Sequence, residues 1–282
     1  MINYMSKKIR LFIIFIFLAP FYADAGTITL NIRATVKKEK MNVKMIVEIS
    51  NSGDDVAKNV RPFAFVDNSK FNFQSKRVPP GKSVTFVSEK RFDKLKSMKS
   101  GTYPVAFQIR YTDSDNVQHY APAYGILKTA NKYMQNPFNA KINPVTLNDS
   151  TDVTVSIHNT ADSNARFIAS LHTTPKIKIS PSKIDCVLSK YDKTNILFKL
   201  INNGDQPGSV KPLHLFLEFD DVLFHSTKIF QIPLSIFDEN SPALIHNSNN
   251  KSNFKLAVFV CGFLVLTGVG FSLFILLRKK QK

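Results

Sequence analysis

Along most of the chain, apolar and polar residues alternate with a period of two. Ile28, Leu30, Ile32 and Val36 fall on one side, as do Val43, Met45, Val47 and Ile49, and again Tyr103, Val105, Phe107, Ile109 and Tyr111. The second half repeats the pattern in Val153/Val155/Ile157, Ile196/Phe198/Leu200, Leu213/Leu215/Leu217/Phe219 and Phe230/Ile232/Leu234/Ile236. A period of two puts such residues on one face of a pleated strand, so the pattern predicts short, half-buried strands. Turn signals divide them: Asn51-Ser52-Gly53-Asp54, Pro79-Pro80-Gly81, Asp113-Ser114-Asp115-Asn116 and Asn202-Asn203-Gly204-Asp205. Lys90–Met98 is the nearest approach to a helix in this region, and it is short.

Two stretches break the alternation by being apolar throughout. Leu11–Leu18, preceded by Lys7, Lys8 and Arg10 and followed by Ala23-Asp24-Ala25, reads as a signal peptide over residues 1–25. Leu256–Leu277 has no charged residue over 22 positions, enough for a spanning helix. Arg278, Lys279, Lys280 and Lys282 follow it and hold residues 278–282 in the cytoplasm. The expectation is a single-pass membrane protein with an exported body, anchored through residues 256–277, with residues 241–254 as a polar stalk.

The body has the length of two small domains. A weak repeat supports two copies: Ile49-Ser50-Asn51-Ser52-Gly53-Asp54 returns as Ile157-His158-Asn159-Thr160-Ala161-Asp162, and a third version is Leu200-Ile201-Asn202-Asn203-Gly204-Asp205. The organisation expected is all-β, two tandem sandwiches over residues 26–130 and 131–240, plus a C-terminal transmembrane helix. Cys186 in the body and Cys261 in the apolar segment cannot pair, and Cys186 reads as a small core residue.

Several segments within residues 40–125 carry a resemblance. Ile49–Asp54, Ala57-Lys58-Asn59-Val60, Val78–Val84, Gly101-Thr102-Tyr103-Pro104-Val105 and Tyr111-Thr112-Asp113 follow in a succession similar to that of prokaryotic Ig-like surface domains of the CARDB and S-layer-associated type. The resemblance implies Ig-like β-sandwiches that serve as non-catalytic modules on secreted or membrane-anchored proteins. It is nearly silent on the ligand.

Charge adds a candidate surface. Formal net charge is +17. Residues 26–128 carry 18 Lys and Arg against 9 Asp and Glu, while residues 131–240 carry 11 of each. The densest cations, Lys76, Arg77, Lys82, Lys90, Arg91, Lys94, Lys96 and Lys99, are the candidate binding residues. They favour a protein or other anionic partner in the cell envelope; with no nucleic-acid-binding motif on an exported chain, nucleic acid is not the expected partner.

Chemistry-bearing motifs are missing. The six histidines are scattered without metal-ligand spacing, and His158 and His172 suit strand ends. No G-x-S-x-G elbow occurs. Gly81-Lys82-Ser83 reads as a turn instead of a P-loop end, and Asp113-Ser114-Asp115-Asn116 reads as a hairpin turn because an EF-hand glutamate is replaced by Tyr124. Glu218 and Asp220 alternate on one strand in the manner of an acid–base pair, but nothing marks a cleft around them. The expected protein therefore has no catalytic residues, cofactor or metal, and acts by binding, adhesion or scaffolding.

An alternative is a periplasmic assembly chaperone, since Arg33-Ala34-Thr35-Val36 at the first strand is similar to pilus chaperones of two Ig-like domains. That resemblance implies Val117–Lys128, with Tyr120, Tyr124 and Ile126, as a donated strand and Arg33 as one of two anchoring cations. A hydrolase of envelope polymers is a third class, supported by no residue set.

Overall fold

The computed structural model describes residues 26–67, 69–130 and 134–237. The expected signal peptide (1–25), stalk (241–254), transmembrane helix (256–277) and tail (278–282) lie outside the described residues. Among those described, no helix is long and apolar enough to cross a membrane.

Eight strands make the first sandwich: β1 (Leu30–Glu39), β2 (Asn42–Asn51), β3 (Ala57–Val66), β4 (Ser69–Asn72), β5 (Lys76–Val78), β6 (Ser83–Arg91), β7 (Ser100–Thr112) and β8 (Gln118–Lys128). The back sheet runs β1-β2-β6 and the front sheet β4-β3-β7-β8, with β5 also on β3. This order, with strands two and six paired in one sheet and three, seven and eight in the other, is that of an immunoglobulin-type sandwich. Val43, Met45, Val47 and Ile49 of β2 are wholly buried and share one core with Val105, Phe107 and Ile109 of β7. The alternation therefore marks the inner faces. Within Lys90–Met98 only one turn of 3-10 helix forms, Asp93–Lys96, and it buries Leu95.

The second sandwich comprises β9 (Phe138–Lys141), β10 (Val145–Leu147), β11 (Ser150–Asn159), β12 (Ala165–His172), β13 (Ile177–Ser180), β14 (Lys183–Leu188), β15 (Lys193–Asn202), β16 (Val210–Asp220) and β17 (Phe224–Ile236). One sheet is β13-β15-β11-β9; the other is β14-β12-β16-β17, with β10 parallel to the end of β17. Its separate core includes Val153, Val155, Ile157, Phe198, Leu200, Leu215 and Leu217. Cys186 on β14 is half-buried against that core.

The sequence repeat is a side-chain clip. Asn51, 1% exposed, donates its amide to the carbonyls of Asp55 (2.6 Å) and Val78 (3.2 Å) and accepts from Gly53 N (3.0 Å). Asn159, fully buried, donates to Ser163 O (2.9 Å), Leu188 O (3.3 Å) and Ser189 O (3.0 Å) and accepts from Ala161 N (3.0 Å). Asn51 ends β2 and Asn159 ends β11, and each ties two connections together. It satisfies backbone carbonyls that would otherwise be left bare inside the protein. Asn202 makes the smaller version, reaching Asp205 O at 3.4 Å.

Replacing Asn159 with alanine is expected to cost about 2–4 kcal/mol, because it strips a donor from three carbonyls. Asn202→Ala is expected to cost about 1 kcal/mol or less, and denaturant unfolding of the two variants checks the contrast.

Candidate functional site: the joint, the cleft and the front-sheet face

The two sandwiches share a sheet. The start of β17, still paired with the end of β16 at His225 and Asp220, also pairs in parallel with the start of β7, Phe224 opposite Ser100 and His225 opposite Gly101, so the two front sheets become one sheet of ten strands. Thr227 N donates to Thr102 Oγ1 (2.9 Å), and Thr227 Oγ1 donates to Thr102 O (2.8 Å). Gly101 permits the approach. Its φ is +153°, and a Cβ there would stand 1.7 Å from the His225 carbonyl oxygen. Only glycine meets both conditions.

Side chains lock the joint. The His225 ring stacks on Tyr103 at 4.0 Å between centroids with 4° between planes. Its Nδ1 lies 3.2 Å from Asp220 Oδ1 and its Nε2 3.4 Å from Glu218 Oε2. Lys99 Nζ reaches Asp220 Oδ1 (3.3 Å) and donates to Asp221 O (2.7 Å). Burial, with Asp220 adding to it, pushes the Tyr103 hydroxyl up to about 12, so it stays protonated and donates to Lys99 O at 3.1 Å.

Beside the joint the outward faces of the two front sheets form a cleft of about 580 Å³. Phe65, Tyr103 and Ala106 line it from the first sandwich, and His172, Lys183, Phe216, Glu218 and Asp220 from the second. Glu218 and Asp220 thus do sit at a cleft, unlike the sequence expectation, and both are turned to His225. His172 stacks on Phe216 (4.3 Å), and the nearly buried His214 meets Tyr124 edge-on (4.9 Å). Desolvation holds both imidazoles down at about 4, hence neutral at pH 7. Among the described residues no three His, Cys, Asp or Glu side chains group as a metal set.

The predicted basic residues stand in several different settings. Lys99 is in the joint. Lys94 pairs with Asp67 (2.8 Å) and Arg91 with Asp93 (2.8 Å). Lys76 donates to Thr85 O (2.6 Å) beneath the Phe86 ring, and Lys90 lies 6.0 Å from the Phe71 ring centre. Arg77, Lys82 and Lys96 are exposed. Gly81-Lys82-Ser83 forms a turn, with Gly81 at φ +65°. In the β7–β8 hairpin Asp113 accepts from Val117 N (2.8 Å) and pairs with His119 (2.7 Å). Arg33 is exposed on the back sheet, in a shallow groove with Glu48 and Thr85, away from the cleft.

A different cationic cluster stands on the front sheet. Lys70 Nζ (4.4 Å), Arg61 Cζ (5.5 Å) and Arg110 Cζ (5.6 Å) surround the Phe63 ring. The sequence does carry a signal for it. On β3 the outward positions are Arg61, Phe63 and Phe65, while the small Ala64 is turned inward, reversing the usual order of size.

Two outcomes follow. Gly101→Ala is expected to destabilise the protein by about 2–4 kcal/mol and to split one unfolding transition into two, which calorimetry checks. His172 and His214 are held below the unfolded value of 6.5, so the unfolded chain binds more protons between pH 6.5 and 4. Stability should therefore be full above pH 6.5 and fall toward pH 4, by at most about 3 kcal/mol per histidine. His172→Phe with His214→Phe should flatten that limb in urea titrations.

No protein-family model matches the chain, and no curated protein matches it. Among solved structures it is similar to the YadV chaperone at 10% identity, over 73% of this chain and 99% of that one, with a TM-score of 0.31. The periplasmic chaperone SfaE gives 7% identity over 74% and 100%, with a TM-score of 0.31. An alpha-2-macroglobulin from Escherichia coli, from domain MG7 to its C-terminus, gives 12% identity and a TM-score of 0.31. The match spans 37% of this chain and only 17% of that one.

Proposed function

We propose that the chain is a non-catalytic binding module of the cell envelope, exported by residues 1–25 and anchored by residues 256–277, in the manner the CARDB-like resemblance implies. Its partner is a protein or other anionic component of the envelope. The observation that carries this reading is the cleft. Two sandwiches joined by continuous sheet hold an aromatic-walled groove of about 580 Å³, whose charges are Lys99 and Lys183 with Asp67, Glu218 and Asp220. A preformed groove binds without first ordering its walls. The excess of Lys and Arg over residues 26–128 favours an acidic partner and speeds its approach.

The assembly-chaperone reading retains one observation in its favour. β8 is ladder-paired with β7 alone among the described strands, with Val36 and Ala34 of β1 packed beside it at Gly125 without a ladder, so an added strand would have to displace β1 to pair there. Arg33→Ala abolishes subunit capture on that reading and leaves it unchanged on ours.

Photo-cross-linking residues placed at Phe65 and at Lys183, one on each wall, should give the same envelope adduct in cells, and one at the remote Tyr191 should not. Adducts absent from the cleft, or equally strong at Tyr191, would overturn the reading. Ending the chain at Lys255 should move it from the carbonate-resistant membrane fraction to the soluble one; retention in the membrane would contradict the anchor.

A further inference from the structure

The outward face of the front sheet of the first sandwich collects cations without acids. Cross-strand register puts Arg61 directly opposite Arg110, an arrangement of like charges that destabilises a sheet. Lys70, on β4, completes a triad around Phe63, so no two of its charges are more than about 11 Å apart. That is close to the screening length of about 8 Å at physiological salt, so the three repel one another. The nearby acid, Asp67, is taken by Lys94. Among the described residues Arg61, Lys70 and Arg110 make no ion pair. The ring face attracts each cation by only about 0.5–1 kcal/mol.

Beside the triad lies a shallow trough. Register sets Phe65, Ala106 and Tyr124 side by side on β3, β7 and β8, a methyl group between two rings that are 37% and 38% exposed. The trough leads from the triad toward the cleft, where Phe65 and Ala106 also form part of the wall.

We propose that this face binds a uronic-acid-rich polysaccharide, with Arg61, Lys70 and Arg110 holding its carboxylates and Phe65 and Tyr124 stacking on its sugar rings. The planar guanidinium forks match planar carboxylates. The location selects a glycan over an acidic peptide. β3 and β7 are interior strands with ladder partners on both sides, so they offer no free backbone edge to an extended peptide. A polysaccharide needs none, because it brings its own hydroxyl groups and ring faces. The face meets the cleft at Phe65 and Ala106, but Arg61, Lys70 and Arg110 stand outside it, so the arginine variants test this proposal independently of the proposed function.

The test uses the full chain in detergent and fluorescence anisotropy of labelled polygalacturonate oligosaccharides, alongside poly-glutamate, neutral dextran and anionic lipid vesicles. Polygalacturonate should bind with an affinity that falls as salt rises, and Arg61→Gln with Arg110→Gln should weaken it at least tenfold. Lys90→Gln with Lys96→Gln, which removes the same charge elsewhere, should change it less than twofold. Phe65→Ala with Tyr124→Ala should weaken it while leaving the salt dependence intact. Removing the opposed arginines relieves their repulsion but also takes the Arg61 Nε donor from Phe73 O (3.1 Å), so the melting temperature should change little. If that pair fails to fold, the exposed Lys70→Glu serves instead, with the same loss expected. Absent binding, or equal loss in the Lys90/Lys96 control, would overturn the proposal. So would poly-glutamate or vesicles bound as tightly as polygalacturonate through the same arginines, since they would assign the face to an acidic protein or a lipid surface.

Discussion

The backbone contact between Gly101 and His225 is what the rest of the molecule depends on. Two sandwiches with separate cores have no general reason to keep a fixed angle, and domains linked in tandem usually move against each other. Here the first residues of β17, while His225 is still paired with Asp220 of β16, also enter the ladder of β7. The contact forms only because position 101 has no side chain. Once formed, it sets Thr227 on Thr102, His225 on Tyr103 and Lys99 on Asp220, and it turns two sheet faces toward each other to make the cleft.

Each sandwich is closed by a buried asparagine. Asn51 and Asn159 stand at equivalent strand ends, and each holds together connections that a hydrophobic core cannot hold, because backbone carbonyls must find donors. The same device serves two cores whose apolar residues differ. It survives in the sequence as a recognisable motif while the strands around it diverge.

The inner faces were legible from the alternation because burial on one side of a sheet is a local property: Val43 to Ile49 and Val153 to Ile157 point inward wherever the strands pair. The joint was not legible. Thr102 and Thr227 are 125 residues apart, and nothing local to either foretells the other. For the same reason Lys99 reads in sequence as one more surface cation, and Glu218 and Asp220 as a pair without a cleft. His214 and Phe216 sit at positions that the alternation leaves to solvent, yet both are buried, because β16 has the core on one face and the cleft wall on the other. Within the dense run Lys90–Lys99, Arg91, Lys94 and Lys99 each find a carboxylate partner, Asp93, Asp67 and Asp220, that the run itself does not announce. The sparser set Arg61, Lys70 and Arg110 converges through strand register.

The central claim is that the joint fixes the two sandwiches as one body. It is tested most directly by the distance distribution between spin labels at Ser75 on the first and Ser163 on the second, in a chain whose own cysteines are replaced by serine. Pulsed electron paramagnetic resonance should give one narrow distribution matching the separation in the structure. A broad or two-peaked distribution would contradict the claim and leave the cleft without a fixed shape.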